Sequence, residues 1–320
     1  MSTQRYTYYP GCSAKGVGRG FTESLDAVFE HLGTGLDELD DWNCCGATAW
    51  PSVDEDQAFA LSARNLALAE AHAPDAGPID VLASCTGCYR ALLKTERALD
   101  HSGPIADKIG GALASIGLDY EGRVRVRHPV DILLNEIGLD AIRAAVVRPL
   151  TGMKVACYYG CLLVRPFATF DDQYNPTSMD QLVEAVGAEP IEWPLKTRCC
   201  GGSCYCGGPV IGAMPEATMQ LSYALLREAT KRGADAIATI CPLCQFNLEG
   251  FQDRMAKRFG RPLDIPSVFV SQLLGIAMGI DEKSLGIHRL LRWRLPEREP
   301  ATVGTAAGVP ASAEGGSDGS

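Results

Sequence analysis

Ten cysteines of this chain form two sets of five that share one order and nearly one spacing. Each set has a single cysteine, then an adjacent pair followed by glycine, then a Cys-x-x-Cys. The gaps from the single cysteine to the pair are 31 and 37 residues, and those from the pair to the Cys-x-x-Cys are 39 and 40. The two sets are Cys12, Cys44, Cys45, Cys85 and Cys88, and Cys161, Cys199, Cys200, Cys241 and Cys244.

The ligand number in each set points to a multinuclear metal site. A Cys-x-x-Cys turn aims two sulfurs at one centre, the usual way to hold zinc or an iron–sulfur cluster. Zinc or a cubane cluster needs four thiolates, whereas each set offers five. Two adjacent thiolates fit one tetrahedral ion poorly, but they can bind different irons of an irregular cluster or bridge two of them. Zinc at one or both sites stays open, because a set of four cysteines accepts either metal.

The residues beside the cysteines suit such a site. Gly46, Gly201 and Gly202 follow the two pairs, where they would let the backbone approach a cluster and point N–H groups at its sulfurs. Helix N-termini would direct positive dipole ends at an anionic cluster. Helices are predicted to begin after four of the cysteines, namely Cys12, Cys88, Cys161 and Cys244.

Composition narrows the class of protein. The chain has 320 residues, 13 cysteines and a formal net charge of −10. This acidic balance argues against a nucleic-acid partner, because few basic residues are left to pair with phosphates. We read no secretory signal at the N-terminus, and the longest apolar stretch, 265–280, is too polar to span a bilayer. The protein is therefore expected to be cytoplasmic, where dense cysteines are typically metal ligands or redox-active thiols.

Repeats extend beyond the cysteines. "YTYYPGCSAKG" at 6–16 matches "VACYYGCLLVR" at 155–165, and "IDVLASCTGCYRALL" at 79–93 matches "AIATICPLCQFNLEG" at 236–250. We predict two cysteine-rich domains, 1–149 and 150–299, related by duplication and a pseudo-twofold axis. The tail 300–320 lacks large apolar residues and is predicted to be disordered.

Strand-like runs alternate with helical patterns in both halves. The runs "VLAS", "RVRV", "KVACYY" and "DAIATI" are separated by amphipathic segments, which is typical of an α/β fold. The fold class predicted is α/β with two similar Rossmann-like lobes. Each cysteine cluster then follows a strand, at the edge of the sheet where such folds bind ligands.

The doubled pattern resembles the cysteine-rich CCG domain, above all the B subunit of heterodisulfide reductase. The resemblance runs from about residue 5 to 280 and includes "YYPGC", "DWNCCGA", "YYGCLLVRP" and "SQLLG". It implies that each set of five cysteines binds a noncubane 4Fe-4S cluster. It also implies an oxidoreductase in which two facing clusters cleave or form a disulfide, with one electron passing through each.

Partners follow from the resemblance as well. No nucleotide-binding GxGxxG loop is evident, so electrons would arrive through two further proteins of the complex, a ferredoxin-like C subunit and a flavoprotein A subunit. The sulfur-oxidising heterodisulfide reductase-like complex is one setting. An alternative is a CCG-type electron-transfer subunit of a flavin-dependent succinate, lactate or glycolate dehydrogenase, which passes electrons to quinone. A third hypothesis places zinc in both sites, and a zinc ion or a cubane cluster at the first site alone is a further alternative.

Several other residues carry weaker signals. Lys15 and Arg165 occupy corresponding positions after the single cysteines, where they could bind an anionic substrate group or remain solvated cations. His128 is interpreted as a structural histidine and Cys157 as a packing residue. Packing is also predicted for the tyrosines beside the cysteines, Tyr8, Tyr9, Tyr158 and Tyr159. Passive thiols are predicted for Cys204 and Cys206.

The segment 284–298, "SLGIHRLLRWRLPER", is basic and amphipathic. It could contact an anionic membrane, and it is where membrane contact is expected if there is any. We favour docking onto a partner protein of the same complex, because the rest of the chain is acidic.

Overall fold

The computed structural model describes residues 4–47, 50–74, 77–202 and 214–294. Over these ranges the chain forms two parallel sheets. The strands of the first sheet are β1 (Gln4–Tyr9), β2 (Thr34–Glu38), β3 (Ile79–Ala83) and β4 (Val124–Arg127). Those of the second are β5 (Lys154–Tyr158), β6 (Glu189–Pro190), β7 (Ala236–Thr239) and β8 (Ser267–Phe269). Both sheets have the same strand order, β2-β1-β3-β4 and β6-β5-β7-β8.

Helices connect the strands in both halves. Those of the first half are α1 (Arg19–His31), α2 (Trp50–Val53), α3 (Glu55–His72), α4 (Thr86–Leu99), α5 (Pro104–Ala114), α6 (Pro129–Asp131) and α7 (Leu139–Ala145). Those of the second are α8 (Ser178–Ala185), α9 (Pro215–Lys231), α10 (Pro242–Gly250), α11 (Gln252–Phe259) and α12 (Val270–Ala277). A π-helix joins α6 to α7, and short 3-10 turns occupy Cys12–Lys15 and Ile287–Arg289. The predicted α/β fold with two similar lobes is thereby confirmed.

The topology creates one ligand-binding edge in each lobe. The chain leaves β1 toward one side of the first sheet and leaves β3 toward the other, and β5 and β7 repeat this arrangement. The crevice at such a reversal, outside the carboxyl ends of the strands, is where open parallel sheets bind ligands. In both lobes the single cysteine and the Cys-x-x-Cys follow the two strands that flank the reversal.

The lobes face each other through equivalent elements. Helix α1 packs on α12 of the other lobe, and α8 packs on α6 and α7 in return. Phe21 stacks on Phe269 with ring centroids 4.5 Å apart, and Phe170 stacks on His128 at 6.3 Å. Phe21 and Phe170 each stand nine residues after the single cysteine of their lobe. This reciprocal packing is the pseudo-twofold relation predicted from the repeats.

The interface between the lobes belongs to the hydrophobic core. The largest cluster of buried apolar side chains contains residues of both halves, from Tyr6 to Ile287. Within the same interface the Ser24 and Ser271 hydroxyls are 2.6 Å apart and buried. Because burying apolar surface is the main favourable term in folding, this shared core fixes the two sheets relative to one another.

The helix predicted after Cys161 was wrong. Residues 162–177 form turns and bends, whereas the corresponding stretch of the first lobe holds the 3-10 turn and the start of α1. The segment contains two prolines, Pro166 and Pro176, and a proline disfavours helical backbone at the residue before it. Asp171 organises the loop instead, since its carboxylate accepts hydrogen bonds from the N–H groups of Thr177 and Ser178.

The C-terminal basic segment lies on this chain's own surface as far as it is described. Arg289 pairs with Glu23 at 2.8 Å, and Arg292 pairs with Asp253 at 2.7 Å. Arg294 pairs with Asp264 at 2.8 Å. Three of its positive charges therefore have intramolecular partners. Residues 295–298 and the tail 300–320 lie outside the described ranges.

Two further sequence predictions concern boundaries and membranes. The domain boundary predicted at 149–150 falls in the connection 146–153 between α7 and β5, and it stays a prediction. Within the described ranges, no helix combines the length and the apolar character needed to cross a bilayer.

Candidate metal centre

All ten cysteines of the two sets line a single cavity of about 220 Å³ between the lobes. Small and apolar side chains complete most of its wall. The other lining residues are Ser13, Ala47, Thr86, Gly87, Leu162 and Leu243. The cavity is therefore a sulfur-lined, largely apolar chamber, to which each lobe contributes one set of five.

The Cys-x-x-Cys turns begin helices. Cys85 is the N-cap of α4 and Cys241 is the N-cap of α10, so Cys88 and Cys244 lie in the first turns. The two helices thus begin three residues before the prediction, which placed their starts after the second cysteine of each turn. The expected electrostatic effect persists, because the free N–H groups of a first turn favour an anion nearby.

Within each lobe the sulfurs contact one another in the same pairs. The Cys200 and Cys244 sulfurs are 3.4 Å apart, and Cys45 and Cys88 are hydrogen-bonded in the first lobe. The single cysteine hydrogen-bonds to the first cysteine of the adjacent pair in both lobes.

One sulfur contact crosses between the lobes. Cys85 and Cys241, the first cysteines of the two Cys-x-x-Cys turns, hydrogen-bond to each other. Because these residues are equivalent in the repeats, their meeting marks the pseudo-twofold axis. The two sulfur sets therefore adjoin, and a small molecule between them can reach both.

The hydrogen bond between Cys12 and Cys44 shifts the pKa values of the two thiols in opposite directions. Hydrogen bonding between them lowers the pKa of Cys44 and raises the pKa of Cys12. The Cys157 thiol, which is not among the residues that line the cavity, has its pKa raised chiefly by burial. Metal binding requires thiolates, so binding at these sites would release protons from the thiols of each set.

Two glycines that the sequence analysis did not single out, Gly11 and Gly160, make room for the sulfurs. A Cβ on Gly11 would lie 2.8 Å from the Cys88 sulfur, and one on Gly160 would lie 3.4 Å from the Cys244 sulfur. After the pairs, Gly46 N donates to the Cys44 sulfur at 3.5 Å and Gly201 N donates to the Cys199 sulfur at 3.2 Å. The donor set and the N–H groups aimed at sulfur fit an anionic iron–sulfur group in each lobe.

Side chains from neighbouring elements hold the cysteine pairs in position. The Tyr9 hydroxyl donates to Asn43 O, and the Tyr158 hydroxyl donates to Arg198 O; each acceptor immediately precedes a pair. The packing predicted for these tyrosines is confirmed by their burial, but sequence reasoning missed their hydrogen bonds.

Sequence reasoning also missed a serine hydrogen bond to each cysteine pair, called the serine brace below. Ser62 Oγ donates to Cys45 O at 2.9 Å, and Ser222 Oγ donates to Cys200 O at 3.0 Å. The signal for it was present in the repeats, since the two serines stand at corresponding positions of α3 and α9. Four hydrogen bonds therefore clamp the two pairs in the same way.

The cations predicted to receive an anionic substrate lie away from the described cavity wall. Lys15 pairs with Glu38 at 2.8 Å on the surface. Arg165 donates to Thr197 O at 2.7 Å and is not among the described lining residues. Their role in substrate binding stays a prediction.

His128 and Cys157 match their structural interpretation. His128 is fully buried, with Nε2 3.2 Å from Ser84 O while Nδ1 accepts from Val130 N. Burial lowers the pKa of His128 to about 4. Cys157 is buried in β5. Cys204 and Cys206 lie outside the described residues.

The second lobe contains a buried ion pair beside its single cysteine. Lys196 Nζ lies 3.2 Å from Asp180 Oδ1, and the Tyr159 hydroxyl donates to Asp180 Oδ2. The backbone N–H groups of Tyr159 and Gly160 both donate to Lys196 O. This network ties the end of β5 to α8 across the loop that replaces a helix in this lobe.

Comparison with known proteins agrees with this geometry. The cysteine-rich domain of the CCG family matches residues 6–93 and again 155–249. The 8-methylmenaquinol:fumarate reductase membrane anchor subunit of Wolinella succinogenes is 30% identical over 287 residues, covering 89% of this chain and 96% of that protein. The B subunit of the ferredoxin:CoB-CoM heterodisulfide reductase of Methanosarcina mazei is 29% identical over 288 residues, covering 89% and 93%.

A solved structure supports the fold alone. The crystal structure of a hypothetical protein from Helicobacter pylori aligns with a TM-score of 0.69 at 14% sequence identity. The alignment covers 91% of this chain but about half, 52%, of that one. Two family matches, one in each lobe and each enclosing its own five cysteines, identify the chain as a member of the CCG cysteine-rich domain family.

Proposed function

We propose that this chain is the catalytic iron–sulfur subunit of a heterodisulfide reductase-like complex. It would bind two noncubane 4Fe-4S clusters and interconvert one disulfide with two thiols. The observation that carries the proposal is the single cavity lined by both sets of cysteines, in which Cys85 and Cys241 meet. Reduction of R–S–S–R′ takes two electrons and two protons and yields RSH and R′SH, so two one-electron centres at one chamber match the stoichiometry.

The ligands proposed for the clusters are the two sets of five. Cluster 1 would take Cys12, Cys44, Cys45, Cys85 and Cys88, and cluster 2 would take Cys161, Cys199, Cys200, Cys241 and Cys244. Bound clusters would supply one-electron redox chemistry. The chain itself contributes N–H donors to the sulfurs and an apolar wall, including Leu162 and Leu243, which limits the access of water.

Electrons would reach the chain through other proteins of the complex. The relatives from Methanosarcina and Wolinella are named as subunits of larger reductases. We propose a ferredoxin-like C subunit and a flavoprotein A subunit as partners, and a location in the cytoplasm.

The test is metal analysis and turnover on anaerobically purified protein. We expect about eight irons and matching acid-labile sulfide per chain, and an EPR signal that changes when a thiol is added. With reduced viologen as donor, the CoB–CoM heterodisulfide named for the Methanosarcina relative is the first substrate to assay. Full iron without any thiol-dependent signal would overturn the disulfide chemistry while leaving the clusters in place. Cys157→Ala, which changes a thiol outside the cavity, is the matched control and should retain both properties.

A second candidate is an electron-transfer subunit that reduces or oxidises a quinone. It is favoured by the 30% identity to the fumarate reductase protein of Wolinella. Against a membrane role for 284–294 stand the internal ion pairs of Arg289, Arg292 and Arg294. Sedimentation with anionic liposomes and reoxidation by a quinone analogue distinguish the two; failure of both removes this candidate.

Zinc is the remaining alternative for one or both sites, as is a cubane cluster at the first. Five sulfurs spread along a cavity wall suit a cluster of several metals better than one tetrahedral ion. Metal analysis that returned zinc without iron would establish the alternative.

A further inference from the structure

The two cysteine pairs have nearly identical surroundings, which makes a local difference between them informative. Counted from the cysteines, Ala47 of the first lobe corresponds to Gly202 of the second, and Ala91 corresponds to Asn247. The serine braces described above show that the second cysteine of each pair is held by an equivalent hydrogen bond.

Asn247 lies against the second cysteine of its pair. Its Nδ2 is 3.6 Å from the Cys200 sulfur, and the side chain is 1% exposed. Ala91, one turn into α4, has no side-chain donor to offer Cys45. The sulfur of the second lobe therefore receives a side-chain hydrogen bond for which the first lobe has no equivalent at this position.

The glycine opposite makes room for that amide. A Cβ on Gly202 would lie 3.0 Å from Asn247 Nδ2, which is closer than side chains normally approach. The first lobe has Ala47 there, and the space beside it and Ala91 is part of a cavity of about 100 Å³. Gly202 thus leaves room for the Asn247 amide, whereas the first lobe has two alanines, Ala47 and Ala91, at the equivalent positions.

The orientation of the amide indicates that its donor is required. Asn247 Oδ1 is buried and has no hydrogen-bond partner among the described residues. A buried amide oxygen without a partner destabilises the fold, and alanine would avoid that cost. A ligand thiolate only accepts hydrogen bonds, so the Nδ2 end must face Cys200. In this orientation the amide directs an N–H group at the Cys200 sulfur.

The two sites also differ in burial, and this difference disfavours reduction of the second-lobe cluster. Cys12 and Cys44 of the first lobe are exposed, whereas their counterparts Cys161 and Cys199 are only partly exposed. Adding an electron makes a cluster more negative, which burial disfavours and a hydrogen bond to a ligand sulfur favours. Without a compensating donor, the cluster in the second lobe would be the harder one to reduce.

We propose that Asn247 is a positioning residue that raises the reduction potential of the second-lobe cluster through Cys200 and so offsets its deeper burial. This inference rests on the proposed function, because it concerns the clusters assigned there. Two centres that each pass one electron to the same disulfide work best at similar potentials. The asymmetric amide therefore makes two unequally buried sites electrochemically alike.

The first test is Asn247→Leu, which keeps the branched shape of the side chain and removes the donor. In redox titrations followed by EPR, we expect one cluster to become about tenfold harder to reduce, equivalent to about 59 mV for one electron. The other cluster should be unchanged, so the two potentials separate. An unchanged potential at full iron content would overturn the inference, and a shift that brings the potentials together would overturn the compensation.

The reciprocal variant Ala47→Gly/Ala91→Asn builds the same pair in the first lobe. It should make that cluster about tenfold easier to reduce, while Ala47→Gly alone, which adds no donor, should not. If Asn247→Leu lost iron, this double variant would decide the matter, and no shift in it would refute the role of the amide. Wild-type protein without iron refutes the proposed function, whereas full iron with unshifted variants refutes only this inference.

Discussion

The two lobes share one ligand set but surround it differently. Both have five cysteines, a tyrosine and a serine brace on the adjacent pair, and a helix that begins at the Cys-x-x-Cys. The first lobe completes its site with a 3-10 turn and an exposed ion pair between Lys15 and Glu38. The second uses a loop tied by buried Lys196 and Asp180, and an amide aimed at sulfur. The ten cysteines proposed as ligands recur in both lobes, while several of the supporting residues differ.

This difference has a physical consequence. A metal ligand must stay where the metal needs it, so under the proposed assignment few alternatives to cysteine would work at the ten positions. The support can be built from turns, ion pairs or amides, provided that buried polar groups find partners. The support is therefore where the two sites acquire different exposure and electrostatics.

The largest effect is expected from removing one sulfur in each lobe. Cys85→Ser and Cys241→Ser should each lose about half of the iron and all disulfide turnover, because each set would lack one thiolate. Iron and sulfide analysis with viologen-linked assays measures both effects. If either variant turned over at the wild-type rate, the lobes would not act together on one substrate.

Removal of the lysine should cost much more unfolding free energy in the buried ion pair than in the exposed one. Lys196→Met leaves the Asp180 carboxyl buried without its cation, and we expect a loss of about 3–5 kcal/mol in unfolding free energy. Lys15→Met, its control in the first lobe, breaks an exposed pair and should cost less than about 1 kcal/mol. Urea denaturation measures the difference, and equal losses would contradict the structural role given to the buried network.

Of the two stacked aromatic pairs at the interface, Phe21–Phe269 and His128–Phe170, the second contains a side chain that titrates in acid. The folded-state pKa of His128 is about 4, below its ordinary value of 6.5. The unfolded chain therefore binds the extra proton first as the pH falls. The stabilisation from neutral His128 is fully present above pH 6.5 and is lost between 6.5 and 4, by about 3 kcal/mol.

His128→Phe copies the aromatic residue of the other lobe and should remove this acid-sensitive term. The comparison is the difference in urea midpoint between variant and wild type from pH 7 to pH 4, which cancels the titration of other groups. Exposed His101→Phe serves as control and should keep the wild-type pH dependence. An unchanged pH dependence in His128→Phe would show that His128 does not titrate as described.

Alanine in place of a glycine should have an effect that depends on how closely its Cβ would approach a sulfur. Gly11, Gly160 and Gly33 all have positive φ. A Cβ on Gly11 would lie 2.8 Å from a sulfur and one on Gly160 would lie 3.4 Å from a sulfur. A Cβ on Gly33 would have no neighbour within 4 Å. Alanine at Gly33 should cost only the backbone term, about 1 kcal/mol. Gly160→Ala should cost slightly more, and Gly11→Ala the most, with loss of first-lobe iron. Thermal unfolding and iron content test this order; equal losses would mean that the sulfur contacts are unimportant.

Much of the site could be predicted without coordinates. Ten cysteines in a repeated order, the glycines after the pairs and a buried structural His128 all follow from residue type and local spacing. The α/β lobes also follow, since alternating strand and helix patterns are local signals. The helix after Cys161 failed because the loop depends on Pro166, Pro176 and the carboxylate of Asp171, which together outweigh the repeat.

Other features depended on packing between distant residues. No local pattern indicates that Asn247 would face Cys200 rather than solvent, or that Arg292 would pair with Asp253. Such contacts join residues that are far apart in the chain, and several arrangements of surface charge and helix face are compatible with the same sequence pattern.

The sequence by itself determined which atoms can bind metal and that there are two such sets, because thiol chemistry and strand–helix periodicity are properties of short segments. Only the tertiary structure decided that the sets share one cavity and meet at Cys85 and Cys241. The relative placement of the lobes is set by burial of apolar surface between α1 and α12 and between α8 and α6–α7, a collective effect that no single segment encodes.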